Sequence, residues 1–394
     1  MMELPMPVPE APDWRIDWKQ IDSVFGDWFE EMSRTPQQPE HHGEGDVMAH
    51  TRLVCEKLVE MEDFRRLPDD QRRILFVATL LHDVGKTRVT RMDESGITAP
   101  HHASTGASMV RERLWCEWDM AGTREKMLFR ETVCQLIRLH GKPPHFWELA
   151  TSDDTSIGRK VSDHLFSMAS HACLMPSFSL RLLDLLARVD CEGKICADQK
   201  EILASCETFA ESAMELGCYD GAPSFADDYS RYAFLSQKTV SPDFQLFNPT
   251  WGTVVMMCGL PGTGKDTWIR ENLPNMPMVS LDDIRRQLKI SPDEAQGKVV
   301  QVGIELAKKH LRDKTPFVWN ATNVRPDTRL GLSSLFMDYG AAVRIVYLET
   351  SQEEWRRRNM AREAVVPDAV MDKMLRSLEP PRIHEAHQVE WLAV

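Results

Sequence analysis

The sequence contains no apolar run long enough to cross a bilayer, and its first residues lack the basic start and apolar core of a targeting segment. We therefore expect a cytoplasmic protein without a membrane partner. The nine cysteines form no Cys-x-x-Cys pair, so we expect them to be reduced residues of the core. The net charge of −13 argues against a broad nucleic-acid-binding face, which needs surplus lysine and arginine. It still permits a local basic pocket that grips one strand end.

A length of 394 residues predicts two or three domains, and the pattern of apolar residues changes once along the chain. Up to about residue 216 the apolar residues follow helical spacing, as in Trp18–Met32, and no strand-like alternation stands out. Residues 219–250 contain proline and glycine turns and are interpreted as a linker. We place the boundary between residues 243 and 244, which predicts an all-α domain over residues 1–243 and a second domain over residues 244–394.

The second domain has a pattern typical of α/β proteins. Short apolar runs alternate with helical stretches, which predicts βαβ units and a parallel sheet. The predicted strands are Thr253–Cys258, Met278–Ser280, Phe317–Asn320 and Val343–Leu348.

The first predicted strand leads into a glycine-rich loop and then a helix, which is the order that a phosphate-binding loop requires. Glycines let backbone N–H groups close around phosphate oxygens, and the helix N-terminus favours their negative charge. Lys265 is expected to reach the terminal phosphates of ATP or another nucleoside triphosphate. The residues expected to bind this nucleotide are Gly259, Gly262, Thr263, Gly264, Lys265, Asp266 and Thr267.

One position of the loop departs from the usual pattern. Serine or threonine normally follows the lysine and holds Mg²⁺, whereas Asp266 follows Lys265 here. We expect the Asp266 carboxylate to bind Mg²⁺ directly or through water, or Thr267 to take this role instead. Serine in place of Asp266 would restore the usual type of ligand, so we expect that replacement to be tolerated.

Charged residues beyond the loop suit the acceptor of a phosphoryl group. Asp282 and Asp283 follow the second predicted strand, at the edge of the sheet where substrates bind. Either carboxylate is placed to take the proton of an attacking hydroxyl, and Arg285 to grip a phosphate on the acceptor. The alternative is that Asp282 only caps the next helix. Arg358 and Arg362 stand four residues apart, which suits a lid over the transferred phosphoryl group or a solvated basic face.

Together these motifs resemble the 5′-hydroxyl polynucleotide kinase domain of phage-type end-healing enzymes. The resemblance rests on the stretches GLPGTGKDTW, SLDDIRR, WNATN and RNMAREAVVP and covers about residues 250–394. It implies that Asp282 is the general base and that Arg285 contacts the phosphate on the 3′ side of the attacked nucleoside. It also implies that Arg358 and Arg362 are lid arginines that contact the nucleotide. Asp266 departs from the phage sequence, which has serine there.

The N-terminal half carries a second set of residues suited to phosphate chemistry. Three apolar helical runs each end in a metal-ligand residue that a glycine soon follows, and two further histidines stand near the starts of other predicted helices. Histidine and aspartate together form the mixed ligand set of a two-metal hydrolase, although a single histidine on an apolar helix is more often a core residue. The candidate metal ligands are His50, His82, Asp83, His102, His140 and Asp190.

The order of these residues resembles the HD phosphohydrolase superfamily over roughly residues 38–200. The stretches from His41 to Thr51 and from Ala187 to Lys194 are similar to the HD domain of bacterial CCA-adding enzymes. Those domains hydrolyse 2′,3′-cyclic phosphates and 2′-phosphates. The resemblance implies that all six residues are ligands and that Asp83 bridges two metal ions. Imidazole-rich sites favour Mn²⁺, Co²⁺, Ni²⁺ or Zn²⁺, so we expect two such transition-metal ions.

The sequence also indicates which of two adjacent histidines is a ligand and which lysines bind the substrate. His102 is preferred to its neighbour His101 as a ligand, because Gly106 falls where the family has a glycine. A metal pocket rimmed by lysines suits a phosphate ester, and basic residues follow three of the ligands closely. The lysines expected to bind the substrate are Lys86, Lys142 and Lys194.

The two resemblances indicate a bifunctional end-healing enzyme, similar to bacterial HD-domain polynucleotide kinases. One half would transfer phosphate from ATP with Mg²⁺ to a 5′-OH, and the other would remove a 2′,3′-cyclic phosphate or a 2′- or 3′-phosphate from RNA or DNA ends. No Lys-x-Asp-Gly motif occurs, so a separate ligase is expected to seal the ends. The alternatives are an HD nucleotidase joined to a nucleoside or metabolite kinase, and a nucleotide-gated regulator. The expected catalytic residues are Asp282, Lys265, Arg358 and Asp83.

Overall fold

The structure is a computed structural model and describes residues 4–94, 96–150, 157–236, 241–290, 297–361 and 365–394. The chain divides by its contacts into two compact units, Met1–Met120 with Glu125–Pro223, and Ala121–Arg124 with Ser224–Val394. This division lies upstream of the boundary predicted at residues 243 and 244. Within the described ranges, every helix is too short or too polar to cross a membrane.

The first unit is built mainly of helices, as its apolar spacing predicts. Its helices are α1 (Trp18–Ser33), α2 (Val47–Glu60), α3 (Glu62–Arg65), α4 (Asp69–Leu81), α5 (Lys86–Val89), α6 (His102–Cys116), α7 (Arg124–Leu139), α8 (Phe146–Ala150), α9 (Ile157–Ala169), α10 (Leu180–Glu192) and α11 (Gln199–Glu215). Short 3₁₀ helices cover Pro143–His145 and Ser170–Cys173.

Local chemistry fixes where the helices of the first unit begin. The side chains of Asp17, Asp46 and Ser179 accept hydrogen bonds from backbone N–H groups in the first turns of α1, α2 and α10, which satisfies donors that the helix itself leaves unpaired. The final stretch of α4, Ile74–Leu81, is buried on every side. A helix that is apolar all round lies at the centre of a core. Helices α2 and α10 pack against α4, so the ends of these helices meet.

The helical first domain is confirmed, and a short antiparallel hairpin that the sequence did not predict interrupts it. Strand β1 (Arg91–Asp93) pairs with β2 (Gly96–Thr98). The residues of β1 are all exposed and those of β2 are at most half-buried. Because neither strand has a buried face, neither shows the alternation of apolar and polar residues from which strands are predicted.

The second unit is an α/β domain with a parallel sheet, as predicted. Within the described residues its strands are β3 (Thr253–Cys258), β4 (Met278–Ser280), β5 (Val318–Asn320), β6 (Ala342–Glu349) and β7 (Gln388–Ala393), arranged in the order β4-β5-β3-β6-β7. Its helices are α12 (Asp228–Leu235), α13 (Lys265–Asn272), α14 (Leu281–Leu288), α15 (Gly297–Arg312), α16 (Pro326–Asp338), α17 (Gln352–Met360) and α18 (Asp368–Arg376). A 3₁₀ helix covers Ile383–Glu385.

The register of the sheet brings three strand ends together. Ser280 at the end of β4 pairs with Asn320 at the end of β5, and β5 in turn pairs with β3, which leads into the glycine-rich loop. All these pairings are parallel, so the carboxyl ends share one edge, where ligands of such sheets bind. Strand β7 was missed in the sequence, because Gln388 and Glu390 break its apolar run.

Part of the region interpreted as a linker is helical and belongs to the second unit. Arg231 in α12 donates a hydrogen bond to the carbonyl of His387. The ring centroids of Tyr229 and Tyr232 lie 5.4 and 4.5 Å from that of His387. These contacts fasten α12 to the segment that leads into β7.

Candidate functional site

The six candidate metal ligands lie together in the first unit, and each stands at or close to the end of a helix. They are His50 in α2, His82 and Asp83 after α4, His102 at the start of α6, His140 after α7 and Asp190 near the end of α10. All are buried except His102, whose side chain is 28% exposed. The cluster is therefore open to solvent on the His102 side.

Glycine allows α6 to approach the end of α4 closely. A Cβ atom at Gly85 would stand 2.1 Å from the carbonyl oxygen of His102 and 2.5 Å from the backbone nitrogen of Gly106. Both distances are far below van der Waals contact, so any side chain at position 85 would push α6 away. The glycine after the His82-Asp83 pair thus has a packing role, which is to bring His102 to the cluster.

One half of the cluster is formed by two imidazoles and two carboxylates. His50 Nε2 lies 2.9 Å from Asp190 Oδ1, and His82 Nε2 lies 3.6 Å from the same oxygen. Asp83 Oδ2 lies 3.8 Å from His50 Nε2 and 3.4 Å from His82 Nε2. These four atoms face one another closely enough to surround a single cation.

The other half is formed by the second oxygen of Asp83 and two further imidazoles. Asp83 Oδ1 lies 3.5 Å from His102 Nε2 and 3.9 Å from His140 Nε2. The two imidazole nitrogens are 3.4 Å apart. Asp83 therefore turns one carboxylate oxygen to each half, which is the placement that a bridging ligand requires.

The rings are held so that the same nitrogen faces the cluster in every case. Nδ1 of His82, His102 and His140 lies 2.7, 2.9 and 2.7 Å from the backbone carbonyls of Thr79, Ala99 and Ile137. A carbonyl only accepts, so Nδ1 carries a proton in each ring and Nε2 is the nitrogen left to bind a cation in the cluster. Second partners of this kind fix the orientation of metal-binding histidines.

His50 is oriented by a carboxylate, which the sequence did not reveal. The side chain of Glu44 is buried, and its Oε1 lies 2.8 Å from His50 Nδ1 and 2.8 Å from His42 Nδ1. Its Oε2 accepts a hydrogen bond from the backbone N–H of Ile195 at 2.9 Å. Burial alone would raise the pKa of Glu44, but the hydrogen bonds from His42 and His50 hold it below its usual range. Glu44 is therefore an ionised acceptor that links the loop before α2 to the segment after α10.

The field inside the cluster favours a cation. Burial works to lower the pKa of His82, but the negative charges of Asp83 and Asp190 raise it to about 10. Burial works in the opposite direction on Asp83, whose pKa the charges of Lys86 and His82 hold well below the usual range. Asp83 and Asp190 are thus ionised at neutral pH, and a metal ion that binds between them displaces the proton that their charges favour on His82.

The donor set fits divalent metal ions. Among the described residues, His82 Nε2 and Asp83 Oδ1 are buried and have no hydrogen-bond partner. Such atoms are costly to bury unless a partner satisfies them. The facing Nε2 lone pairs of His102 and His140 also repel each other unless a cation lies between them. Imidazole and carboxylate donors of this kind suit transition metals.

Two of the three predicted substrate lysines lie at the cluster. Lys86 Nζ is 2.7 Å from Asp83 Oδ2, and Lys194 Nζ is 2.9 Å from Asp190 Oδ2. Lys142 follows α7 and is exposed, and within the described residues it forms no ion pair with these carboxylates. The rim of the cluster therefore carries two fixed positive charges.

The glycine-rich loop of the second unit has the conformation of a phosphate cradle. Gly259 and Gly264 have φ angles of 142° and 91°, which L side chains rarely adopt. A Cβ atom at Gly259 would also stand 2.4 Å from the carbonyl oxygen of Leu348. Helix α13 begins directly after Gly264, and no described side chain caps it. Its first N–H groups are therefore left for an anion.

Helix α17 lies against this loop. The indole Nε1 of the buried Trp355 donates a hydrogen bond of 2.7 Å to the carbonyl of Pro261. Arg358, one turn further along α17, has Nη1 3.2 Å from the position that a Cβ atom on Gly264 would take. Its guanidinium thus lies beside the start of α13. Arg362, the other predicted lid arginine, lies outside the described residues.

Lys265 and the two residues after it form hydrogen bonds with different parts of the domain. Lys265 Nζ donates hydrogen bonds to the carbonyls of Gly259 and Leu260 at 2.9 and 2.8 Å. Asp266 Oδ1 accepts a hydrogen bond of 2.6 Å from the side-chain amide of Asn320. The hydroxyl of Thr267 accepts one of 3.3 Å from Arg270, one turn further along α13. Asp266 and not Thr267 therefore faces the sheet edge.

The acceptor side of the site holds a carboxylate and an arginine in contact. Ser280 caps α14 by accepting a hydrogen bond of 3.2 Å from the backbone N–H of Asp283, so Asp282 is not the cap of this helix. Asp282 lies in the first turn with its side chain exposed and forms an ion pair with Arg285. Both residues stand where the end of β4 meets the edge of the sheet.

Family comparisons agree with this division of the chain. The family model described as an HD domain matches residues 46–163, and the one described as an AAA domain matches residues 254–381. No curated protein matches the chain. The chain thus joins a helical HD hydrolase-type domain to a P-loop kinase-like domain, which supports a bifunctional phosphohydrolase and kinase. HD domains bind divalent metals and P-loop kinases use a nucleoside triphosphate with Mg²⁺, whereas the individual residue roles stay predictions.

Proposed function

We propose that the protein is an end-healing enzyme for broken nucleic acid. Its P-loop domain phosphorylates 5′-OH ends with ATP, and its HD domain removes 2′,3′-cyclic phosphate, or a 2′- or 3′-phosphate, from RNA ends. The observation that carries the proposal is the contact between Asp282 and Arg285 on the acceptor side of the phosphate loop. A base beside a phosphate-binding arginine suits an acceptor that contains both a hydroxyl and a phosphate, as a strand end does.

The proposed kinase step gives a role to each of these residues. The 5′ oxygen of the strand forms a bond to the γ-phosphorus of ATP, the bond from that phosphorus to the ADP oxygen breaks, and Asp282 takes the hydroxyl proton. Arg285 leaves Asp282 and binds the phosphate 3′ to the attacked nucleoside. Lys265 leaves the loop carbonyls for the terminal phosphates, and Arg358 stabilises charge on the transferred group. Asp282→Ala is expected to slow turnover by about 10²–10⁴-fold.

The hydrolase step uses the six-residue cluster of the HD domain. When bound there, two divalent metals would supply an activated water and neutralise the charge of the ester. Lys86 and Lys194 each contact a carboxylate of the cluster and are placed to turn towards a phosphate that enters. The exposed side of His102 gives such an ester its way in. Burial of the other five ligands excludes bulk water from the rest of the site.

The two activities complement each other chemically. Metal-independent cleavage of RNA leaves a 2′,3′-cyclic phosphate on one fragment and a 5′-OH on the other. One chain with both domains converts these ends into a 3′-terminal hydroxyl and a 5′-phosphate, which a separate ligase would join.

The proposal is tested by giving the enzyme an RNA that carries both of these ends. RNA with a 5′-OH and a 2′,3′-cyclic phosphate is incubated with labelled ATP, Mg²⁺ and Mn²⁺, and both ends are then resolved. We expect label at the 5′ end and loss of the cyclic phosphate. Nucleosides and nucleoside 3′-monophosphates serve as competing acceptors. Phosphorylation of a bare nucleoside as efficiently as of RNA would instead identify a mononucleotide kinase.

A further inference from the structure

Asp266 and Asn320 form a hydrogen-bonded pair at the mouth of the phosphate loop. Asn320 is the last residue of β5 and is buried, whereas Asp266 stands one residue after the loop lysine and is exposed. The distance from Asn320 Nδ2 to Asp266 Oδ1 is 2.6 Å. A carboxylate only accepts hydrogen bonds, so the amide nitrogen of Asn320 and not its oxygen faces Asp266.

Asp266 and Asn320 occupy the two positions that hold Mg²⁺ in P-loop enzymes, but the carboxylate and the neutral group are exchanged between them. In P-loop enzymes a serine or threonine hydroxyl follows the lysine, and an aspartate at the end of a neighbouring strand completes the metal site. Here the carboxylate follows the lysine, and the strand end carries a neutral amide. The pair still contains one carboxylate and one neutral group, but the two have exchanged places.

The partners of Asp266 differ from those of the neighbouring carboxylates at the end of β4. Asp282 and Asp283 at the end of β4 form ion pairs with Arg285 and Arg286. Asp266, by contrast, forms no ion pair within the described part of the chain, and its partner is a neutral amide. Mg²⁺ is a hard cation that prefers carboxylate oxygen.

We propose that Asp266 supplies the Mg²⁺-binding carboxylate of the nucleotide site and that Asn320 is the positioning residue that holds it there. The inference rests on the nucleotide site of the proposed function but not on the acceptor. It reverses the sequence-based expectation that Asp266→Ser is tolerated, because that variant leaves a hydroxyl opposite an amide and no carboxylate at this position.

The pair gives a reciprocal test. Asp266→Ser removes the carboxylate, and Asn320→Asp sets two carboxylates against each other, which disfavours ionisation of both. The double variant Asp266→Ser with Asn320→Asp restores the usual arrangement of hydroxyl and carboxylate. Asn272→Asp makes the same chemical change at an exposed position near the end of α13 and is the matched control.

The readout is the gain in ATP affinity that Mg²⁺ provides, measured by calorimetry with Mg²⁺ and with EDTA on the full chain. We expect Asp266→Ser to lose about tenfold or more of this gain. The double variant is expected to recover it to within roughly threefold of the wild type, and Asn272→Asp to behave as wild type. Circular dichroism and phosphatase activity of the same samples report whether each variant is folded.

Two results would overturn the proposal. One is that Asp266→Ser keeps the full Mg²⁺ gain, which would mean that the carboxylate is not a ligand. The other is a folded double variant whose Mg²⁺ gain is no better than that of the poorer single variant. Failure of the proposed function is a separate outcome, in which the wild type binds ATP with Mg²⁺ yet does not phosphorylate RNA.

Discussion

His50 Nε2 lies 2.9 Å from Asp190 Oδ1, although 140 residues separate the two along the chain. The contact exists because α2 and α10 pack against the same buried helix, α4. A buried imidazole and a buried carboxylate at this distance form one half of the candidate metal site. The other half, with His102 and His140, is joined to it through Asp83.

Loss of the shared carboxylate is expected to empty both halves of the cluster. Asp83→Ala should lower the bound transition metal to a small fraction of the wild-type content and abolish the phosphatase, while the kinase is spared. His50→Ala touches one half only, so it should retain part of the metal. His41→Ala changes an exposed histidine nearby and is the control. Elemental analysis of purified proteins measures the result, and wild-type metal content in Asp83→Ala would contradict the assignment.

The two activities should separate by metal ion. Histidine-rich sites favour transition metals, whereas the kinase site offers oxygen ligands that suit Mg²⁺. After chelation, Mg²⁺ alone is expected to restore 5′ phosphorylation and leave the phosphatase weak, and added Mn²⁺, Co²⁺, Ni²⁺ or Zn²⁺ should restore the phosphatase. Both activities are followed on the same RNA. Full recovery of the phosphatase with Mg²⁺ alone would show that the cluster does not discriminate in this way.

Glu44 is expected to set the metal affinity through His50. Glu44→Gln keeps the size of the side chain but weakens the acceptor that orients the imidazole, so metal affinity should fall by about 10–100-fold. Glu40→Gln makes the same change at an exposed glutamate before the cluster and is the control. The affinity is measured by competition with a chelating dye. An unchanged affinity in folded Glu44→Gln would mean that Glu44 only supports the loop.

Arg285 is expected to select acceptors that carry a phosphate. Arg285→Ala should raise KM for RNA and for nucleoside 3′-monophosphates but leave the slow reaction with a bare nucleoside unchanged, since that acceptor has no 3′-phosphate to bind. Arg286→Ala removes the adjacent arginine, which pairs with Asp283, and should have little effect. An equal loss with all acceptors would identify Arg285 as a partner of Asp282 rather than an acceptor clamp.

Much of this arrangement can be predicted from the sequence, because residues suited to binding metal or phosphate directly follow the apolar runs that mark helices and strands. The strand before the loop, Thr253–Cys258, has the same bounds in the structure as in the prediction. His82 and Asp83 stand out because a ligand pair directly follows an apolar helix. The glycine-rich loop stands out because a strand, a glycine-rich turn with a lysine and a helix follow one another in the order that phosphate binding requires.

What the sequence did not reveal depends on contacts between distant residues. Glu44 is one acidic residue in a polar stretch, and its role follows only from its distance to His50 and to the N–H of Ile195. Asn320 ends an apolar strand, and nothing in the sequence pairs it with Asp266, to which its amide donates a hydrogen bond. The hairpin β1–β2 has no buried face, so no periodic pattern marks it.

The most direct test of the central claim uses Lys265→Ala and Asp83→Ala on one RNA with a 5′-OH and a 2′,3′-cyclic phosphate, with both ends resolved from each reaction. The claim is that one chain carries two independent active sites, of which one adds a phosphate and the other removes one. Lys265→Ala is expected to leave the 5′ end unphosphorylated and to open the cyclic phosphate at the wild-type rate, and Asp83→Ala to do the reverse. Loss of both activities in either folded variant would contradict the claim.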